Sequence, residues 1–199
     1  MLKFSSLLLL CLSLFSSVLA QSSKKSLNLS KAFVQATLDK AATQIKFLAQ
    51  SIEAQDMPTS YAQRKHINWG SGWWCSGFYP GTALYLYEYT KDSALLEDAK
   101  VKLKVLEKGQ YNTGSHDLGF MLYCSFGNAL RLTQDSALYS GVLITGARSL
   151  ASRYKASTAL IRSWDGGKNW DGQPWTYPVI IDNMMNLEFL TQASKISGD

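Results

Sequence analysis

The sequence predicts an all-α fold made of helical hairpins stacked one after another. Apolar residues recur at gaps of three and four along several stretches, which is the period of one helix face. Apolar alternation at period two, the mark of a half-buried strand, is not sustained anywhere. A third observation is an internal repeat, because Thr90-Lys91-Asp92-Ser93-Ala94-Leu95 recurs as Thr133-Gln134-Asp135-Ser136-Ala137-Leu138. Each copy can end one helix and start the next, as in arrays of helix pairs.

The individual helices follow from the apolar spacing and from residues that favour helix ends. Pro80 suits the first turn of a helix, and Asp92 is a good N-cap for the helix after it. Gly198 is a typical residue just past a helix C-terminus. The expected helices cover about residues 34–52, 80–89, 92–106, 117–132, 136–154 and from 182 onward, with long loops over 55–77 and 155–180.

Residues 1–20 are expected to be a secretory signal peptide. Lys3 gives a basic start, residues 7–14 form a nearly unbroken apolar run, and small residues precede a cleavage point before Gln21. This run is too short to cross a bilayer, which makes an N-terminal membrane anchor the weaker alternative. Residues 21–30 are polar and expected to be flexible. We therefore expect a secreted or periplasmic protein whose folded part begins after residue 30.

The charge pattern argues against a nucleic-acid-binding surface. Basic residues exceed acidic ones and give a formal net charge of +5, but they are scattered rather than gathered in a stripe. A mildly positive balance suits an acidic ligand, although it is also common in proteins without one. After removal of the signal, no stretch is long and apolar enough for a membrane partner.

Cysteine and histidine usage leaves one disulfide open and favours no metal site. Cys75 and Cys124 can pair in an oxidising compartment, or they can remain as two buried thiols that pack as small apolar side chains. The two cysteines and the two histidines are too widely spaced along the chain to read as a metal motif.

The tryptophans are placed unusually for core residues. All six lie in the two expected long loops and none lies in an expected helix. Sugar rings have apolar faces that lie flat on indole rings, so tryptophans at one mouth of a helical array suggest a carbohydrate cleft. For any single tryptophan, closing the end of the core is the simpler role.

Two aspartates stand where a loop enters a helix, and both could carry acid–base chemistry. Asp117 follows His116, and Asp182 follows an apolar run that ends in Ile181. Either residue alone reads most simply as a helix N-cap. A carboxylic acid walled by Ile181 and the methionines after Asp182 would resist ionisation, and two such acids at one mouth would form an acid–base pair.

At these residues the sequence resembles the unsaturated glucuronyl hydrolases, glycoside hydrolase family 88. The likeness covers about residues 60–199, and four short motifs in the family's order are specific together. They are Trp74-Cys75-Ser76-Gly77-Phe78-Tyr79-Pro80-Gly81, His116-Asp117-Leu118-Gly119-Phe120, Ile161-Arg162-Ser163-Trp164 and Ile181-Asp182-Asn183-Met184-Met185-Asn186-Leu187.

The resemblance implies a fold and a role for each matched residue. The fold would be an (α/α)6 barrel, of which residues 31–199 would supply about the first half. Asp182 would be the general acid and base, and Asp117 would assist it. Trp74 and Trp164 would stack on the sugar, while His116 would line the site. No metal and no organic cofactor is implied.

The implied reaction removes a terminal 4,5-unsaturated uronic acid from oligosaccharides that lyases release, those of the glycosaminoglycan type first. Two alternatives remain open on the sequence. One is an unsaturated rhamnogalacturonyl hydrolase acting on pectin fragments, and the other is a helical-repeat carbohydrate-binding module without catalysis. Members of the family are about twice as long, so we expect the 199-residue chain on its own to be inactive or poorly soluble.

Overall fold

The computed structural model describes residues 29–199. The predicted signal peptide and most of the segment expected to be flexible lie outside this range. The described residues fall into two units, 29–35 and 36–199. In the first unit the described residues begin a helix, and the hydroxyl of Ser30 accepts a hydrogen bond from the N–H of Phe33 at 3.1 Å. Ser30 therefore caps the start of this helix.

Helices dominate the described residues, and they occur close to where the sequence predicts them. Two short antiparallel hairpins interrupt the series. In chain order the elements are α1 (Lys31–Ala49), β1 (Met57–Ala62), β2 (Lys65–Trp69), α2 (Phe78–Thr90), α3 (Ser93–Leu106), a 3-10 turn (Glu107–Tyr111), a π-helix (Gly119–Gly127), α4 (Asn128–Thr133), α5 (Ser136–Ala151), β3 (Tyr154–Lys155), β4 (Leu160–Ile161) and α6 (Asn183–Ser197).

The internal repeat marks two helix junctions with the same geometry. Lys91 and Gln134 each adopt the left-handed conformation, with φ of 60° and 59°, and end a helix. The next residue of each copy, Asp92 or Asp135, accepts a hydrogen bond from a backbone N–H in the first turn of the following helix. The two copies therefore end and cap helices in the same way, as the repeat predicts.

One apolar core joins the helices of the second unit. Leu84 of α2, Leu103 of α3, Leu122 of the π-helix, Leu143 of α5 and Phe189 of α6 are all buried in it. Each helix contributes one face, and the loops between them are short except where the candidate site lies. This packing confirms the predicted all-α class with helical hairpins.

The two hairpins were not predicted, and the first shows why. Strands β1 and β2 occupy the expected loop 55–77 and are joined by Gln63 and Arg64, with φ of 50° and 62°. Two consecutive positive φ values define a type I′ turn, and the sequence of such a turn is usually Asn-Gly or Asp-Gly. Gln-Arg carries no such signal, and the strand residues do not alternate cleanly, so the expectation of an irregular loop was wrong here.

A buried lysine fastens this hairpin to α3. The ammonium of Lys102 donates to the carbonyl oxygens of Glu53, Ala54 and Asp56 at 2.5, 3.2 and 2.9 Å. Burial lowers the pKa of Lys102, although the nearby acidic residues oppose that shift. Three carbonyl acceptors satisfy the three N–H bonds of the ammonium, so the lysine stabilises the turn that leads into β1.

Cys75 and Cys124 are both free thiols, which leaves the helices without a covalent link at this point. Burial, with a smaller contribution from Glu188, raises the pKa of Cys124 to about 11, so its thiol stays protonated at neutral pH. Among residues 29–199, no helix combines the length and apolar character that crossing a membrane requires.

Candidate active site

The loop that ends at the π-helix is joined to the long loop after α5 by backbone hydrogen bonds. The N–H of His116 donates to the carbonyl of Ser163 at 3.2 Å, and the N–H of Ser163 donates to that of Pro178 at 2.8 Å. Ser115 and Trp164 form an isolated antiparallel bridge beside them. Three stretches that are far apart in sequence are thereby held side by side.

A cavity of about 520 Å³ opens where these loops meet. It is lined by Gly72, Trp73, Trp74, Ser115, Asp117, Trp164 and Asp182. The structure thus brings together four of the five residues that the sequence singled out. The fifth, His116, lies beneath the two carboxylates and is fully buried, at 0% exposure. A contact between His116 and a bound sugar, as the resemblance implied, does not fit this burial.

The imidazole of His116 faces both aspartates with the same nitrogen. Its Nε2 lies 3.2 Å from Oδ1 of Asp117 and 3.8 Å from Oδ1 of Asp182. Neither His116 Nε2 nor Asp182 Oδ1 has a hydrogen-bond partner of good geometry among the described residues, and both atoms are buried. The three side chains are consequently close enough to share a proton.

The other nitrogen of His116 is held by an amide whose orientation is fixed. Nδ1 lies 2.8 Å from Oδ1 of Asn183. The Nδ2 group of Asn183 donates to the carbonyl of Ile161 at 3.0 Å and to the hydroxyl of Ser163 at 3.2 Å. Because a carbonyl oxygen can only accept, the amide nitrogen must point at Ile161 and the amide oxygen at His116.

A second asparagine extends this network into the helix that follows Asp117. Asn186 is fully buried, and its Oδ1 accepts from the N–H of Gly119 at 2.8 Å. Its Nδ2 donates to Oδ1 of Asn183 at 3.3 Å. The start of the π-helix is thereby tied to the start of α6, and so the two aspartates keep their spacing.

The environment of Asp117 favours its charged form. Burial alone would raise its pKa, but hydrogen bonds with His116 and Ser115 and the charges of His116 and Arg153 together hold the pKa below its usual value. The Ser115 hydroxyl donates to Oδ2 of Asp117 at 2.5 Å. Asp117 is therefore a carboxylate at neutral pH.

The same contacts act on His116 in the opposite direction. Burial lowers its pKa, yet the hydrogen bonds with Asp117 and Asn183 and the charges of Asp117 and Asp182 outweigh burial and leave the pKa raised. The imidazole therefore stays protonated to a higher pH than a free histidine does.

Asp182 is more open than the sequence suggested. Its side chain is 37% exposed, while Ile181 is 86% exposed and Met184 is 62% exposed. Among the described residues, Ile181 and Met184 therefore do not pack around this carboxyl as we expected. Asp182 is also the N-terminal boundary residue of α6, but its side chain makes no capping hydrogen bond. The helix-cap role that competes with an acid–base role has no support at this position.

Aromatic rings surround the cavity on two sides. Trp164 lies edge-on to His116, with ring centroids 5.5 Å apart, and stacks on Trp175 at 6.4 Å. Trp74 meets the ring of Phe120 edge-on at 5.9 Å. Rings that support each other in this way offer rigid apolar faces to a ligand.

His116, Asp117 and Asp182 form a cluster whose nitrogen and oxygen atoms lie within 4.8 Å of one another. A bound cation would also tolerate this spacing. The hydrogen bonds of His116 already assign a proton to one of its nitrogens and aim the other at two carboxylates.

Known proteins similar to the chain are described as unsaturated glucuronyl hydrolases or as unsaturated chondroitin disaccharide hydrolases. The chain is 44% identical over 126 residues to an unsaturated glucuronyl hydrolase of Formosa agariphila. The aligned region covers 63% of the chain and 30% of that protein. An unsaturated chondroitin disaccharide hydrolase of Streptococcus pyogenes is 27% identical over 176 residues, covering 86% of the chain and 42% of that protein. No protein-family model matches the chain.

Solved structures agree with these relatives. A crystal structure of an unsaturated glucuronyl hydrolase specific for heparin superposes with a TM-score of 0.78 at 37% identity, covering 85% of the chain and 44% of that structure. The chain resembles the unsaturated glucuronyl hydrolases in sequence and in fold. A second such enzyme, from Streptococcus agalactiae, gives a TM-score of 0.75 at 25% identity.

The likeness to unsaturated glucuronyl hydrolases that the four motifs predicted is thus confirmed, together with the helical-hairpin fold of their (α/α)6 barrels. The chain spans 30% to 44% of the length of these relatives.

Several residues of the site were given no role from the sequence. Asn183 and Asn186 lie inside a motif that carries the likeness to unsaturated glucuronyl hydrolases, but the motif alone does not show that their amides hold His116 and Gly119. Ser115 precedes His116 directly and hydrogen bonds to Asp117. Polar residues next to a proposed acid are the signal that could have identified all three.

Arg153 was also missed, because it lies at the end of a helix that carries no motif. Its side chain is 2% exposed and forms an ion pair with Asp165 at 3.1 Å. It also donates to the carbonyls of Thr113 and Arg162, the latter at 2.8 Å. The guanidinium therefore fastens the loop before Asp117 to the loop before Trp164.

Proposed function

We propose that this chain carries the acid–base pair of an unsaturated glucuronyl hydrolase, which releases a 4,5-unsaturated uronic acid from the end of an oligosaccharide. The observation that carries the proposal is the meeting of Asp117 and Asp182 at one tryptophan-lined cavity, with His116 beneath both. The similarity to enzymes described as unsaturated glucuronyl hydrolases supports the reaction class.

In the proposed reaction Asp182 acts first as an acid. It donates a proton to C4 of the unsaturated sugar, and the positive charge that develops at C5 is shared with the ring oxygen. The Asp182 carboxylate then takes a proton from water as the water oxygen bonds to C5. The hemiketal formed in this way opens and frees the second sugar. Asp182 suits this role because its carboxyl lines the cavity and is partly exposed.

Asp117 has the complementary role in this proposal. Its pKa is held low, so it is a carboxylate throughout and stabilises the positive charge that forms on the sugar ring. Ser115 fixes its orientation by a hydrogen bond, and His116 Nε2 lies 3.2 Å from its Oδ1. The pair therefore combines one group that moves a proton with one group that keeps its charge.

The aromatic residues and the overall charge account for binding in the same proposal. Trp74 and Trp164 line the cavity and can stack on the sugar, as the motifs imply. A net charge of +5 favours the approach of a uronate. Among substrates we favour glycosaminoglycan-type disaccharides, because relatives are described as acting on unsaturated chondroitin disaccharide or as specific for heparin.

The test is loss of the ultraviolet absorbance of the conjugated C4=C5 bond in an unsaturated chondroitin or heparin disaccharide. It uses the longest chain that the gene encodes, beside an Asp182→Asn variant. We expect the variant to be slower by at least about 100-fold, since proton transfer by a positioned group contributes that much.

An Asp171→Asn variant is the matched control, because Asp171 is exposed in the neighbouring loop and does not line the cavity. It should keep the parent's rate. An unchanged absorbance with folded parent protein would overturn the proposal, and sugar binding that survives Asp182→Asn would then favour a non-catalytic binding module. Activity confined to pectin-derived disaccharides would favour the rhamnogalacturonyl alternative.

A further inference from the structure

The hydrogen bonds around His116 determine how many protons the cluster holds. The oxygen of Asn183 can only accept, so Nδ1 of His116 carries a proton. Nε2 then faces two carboxyl oxygens, at 3.2 and 3.8 Å, with no exposure to solvent. A bare lone pair there would face oxygen lone pairs, so one further proton must lie between Nε2 and the two aspartates.

We propose that His116, locked by Asn183, stores this proton on Nε2 and loads it onto Asp182 before each turnover. His116 is then a positioning and proton-supplying residue that acts through Asp182. This inference rests on the proposed function for its catalytic consequence. The location of the stored proton can be measured without any substrate.

His116 is the group of the cluster that is placed to store this proton. It is fully buried, whereas the side chain of Asp182 is 37% exposed. Asp117 cannot supply the proton, because its pKa is lowered by His116 and Ser115 despite its burial. His116 remains as the one buried group of the cluster whose pKa is raised.

The proton balance of the cycle closes within the cluster and one water molecule. The Nε2–H bond of His116 breaks as an O–H bond forms on Asp182, and that O–H bond breaks as the proton bonds to C4. Water then bonds to C5 and gives one proton to the Asp182 carboxylate, which returns it to Nε2. The distance of 3.8 Å between Nε2 and Asp182 Oδ1 must shorten for the transfer, and Asp182 has no hydrogen bond at Oδ1 to resist that movement.

The groups that set the charge of His116 come from more than one element. Asp117 is adjacent in sequence, and Asp182 faces it from the start of α6. Arg153, two residues after α5, favours the charged form of Asp117. The loop before Trp164 presents only the neutral groups of Ser163 and Trp164 on this side.

The first measurement is the protonation of both nitrogens of His116 by nitrogen-15 NMR as a function of pH. The His116 signals are assigned by their absence in a His116→Gln variant. We expect both nitrogens to carry protons above the pH at which a free histidine becomes neutral, about 6.5. An imidazole that is neutral at that pH, or that lacks a proton on Nδ1, would overturn the proposal even if the enzyme is active.

Two substitutions of Asn183 separate this role from a purely structural one. Asn183→Leu removes the acceptor and should lower the pH at which His116 loses its charge, whereas Asn183→Asp adds a carboxylate beside Nδ1 and should raise it. In a plot of kcat against pH, the alkaline limb should move to lower pH in Asn183→Leu and to higher pH in Asn183→Asp. Loss of kcat with an unmoved limb in both would show that Asn183 merely supports the fold.

His116→Gln should lower kcat by about 100-fold with little change in KM, because the sugar does not touch the imidazole. If Asp182→Asn were fully active while His116 showed the expected protonation, the proposed function would fail and the stored proton would stand. If His116 were neutral while Asp182→Asn was inactive, the opposite conclusion would hold.

Discussion

At the level of single residues, Gly119 has very little space for a side chain. Its N–H donates to Asn186, and a Cβ added to it would lie 2.6 Å from Asn186 Oδ1 and 3.2 Å from the carbonyl of Met185. Only a residue without a side chain lets the π-helix and α6 approach this closely.

Gly119→Ala should therefore lower the free energy of unfolding by about 1–3 kcal/mol, as overpacking in a closed interior does. Urea unfolding followed by circular dichroism measures this. Gly141→Ala is the matched control, since a Cβ at this helical position meets nothing within 4 Å. We expect it to stabilise the protein slightly, and equal effects of the two changes would show that the contact with Asn186 is not limiting.

The roles of single residues were only partly readable from the sequence. Asp117, Asp182, Trp74 and Trp164 could be named because their residue types and motifs suggest chemistry, and the structure places all four at one cavity. The burial of His116 could not be predicted from the sequence, because it depends on the loop that packs over this residue. The amides of Asn183 and Asn186 escaped notice for the same reason, since His116 and Asn183 are 67 residues apart.

At the level of secondary-structure elements, the repeated junctions offer an internal comparison. Asp92 caps α3 and also pairs with Lys46 of α1 at 2.7 Å, whereas Asp135 caps α5 with no ion pair among the described residues. The two junctions share their backbone geometry, so they differ mainly in that one charged partner.

We expect Asp135→Ala to lower the free energy of unfolding by about 1 kcal/mol, the usual effect of losing an N-cap. Asp92→Ala should lower the free energy of unfolding by more than Asp135→Ala does at low salt. The difference between the two variants should shrink as salt screens the pairing of Asp92 with Lys46. Chemical unfolding at two salt concentrations tests this, with Asp92→Asn as the control that keeps a cap but not the charge. A salt-independent difference between the two alanine variants would contradict the role of Lys46.

Elements with a strong periodic pattern and recognisable caps were predictable, whereas those set by packing were not. Asp92, Asp135 and Gly198 mark helix ends as expected. The hairpin closed by Gln63 and Arg64 was missed because its turn lacks glycine or asparagine. The π-helix was read as an ordinary helix, because its extra residue per turn leaves no trace in a short apolar segment.

On the scale of the whole molecule, the candidate site should affect stability as well as catalysis. The pKa of His116 is raised in the folded state, so the cluster stabilises the protein fully below the ordinary histidine pKa of 6.5. This contribution is lost as the pH rises through the folded pKa. The lowered pKa of Asp117 acts at acidic pH. Its contribution to the free energy of unfolding is lost as the pH falls below 3.8, the ordinary pKa of an aspartate.

As the pH rises above about 6.5, the free energy of unfolding should therefore fall more steeply in the parent than in His116→Gln, which has no such group to titrate. Urea unfolding at several pH values gives both curves. Parallel curves would mean that the charge of His116 is not linked to folding.

The π-helix has a geometric consequence for the position of the cluster. An α-helical residue turns the chain by about 100°, so the surplus residue in Gly119–Gly127 works as an angular offset between the loop before this segment and the helix after it. Deleting one residue there would let the segment relax to a regular helix and would swing Asp117 about a quarter-turn or more away from Asp182. The rotational phase of this one segment thus decides whether the two carboxylates face each other.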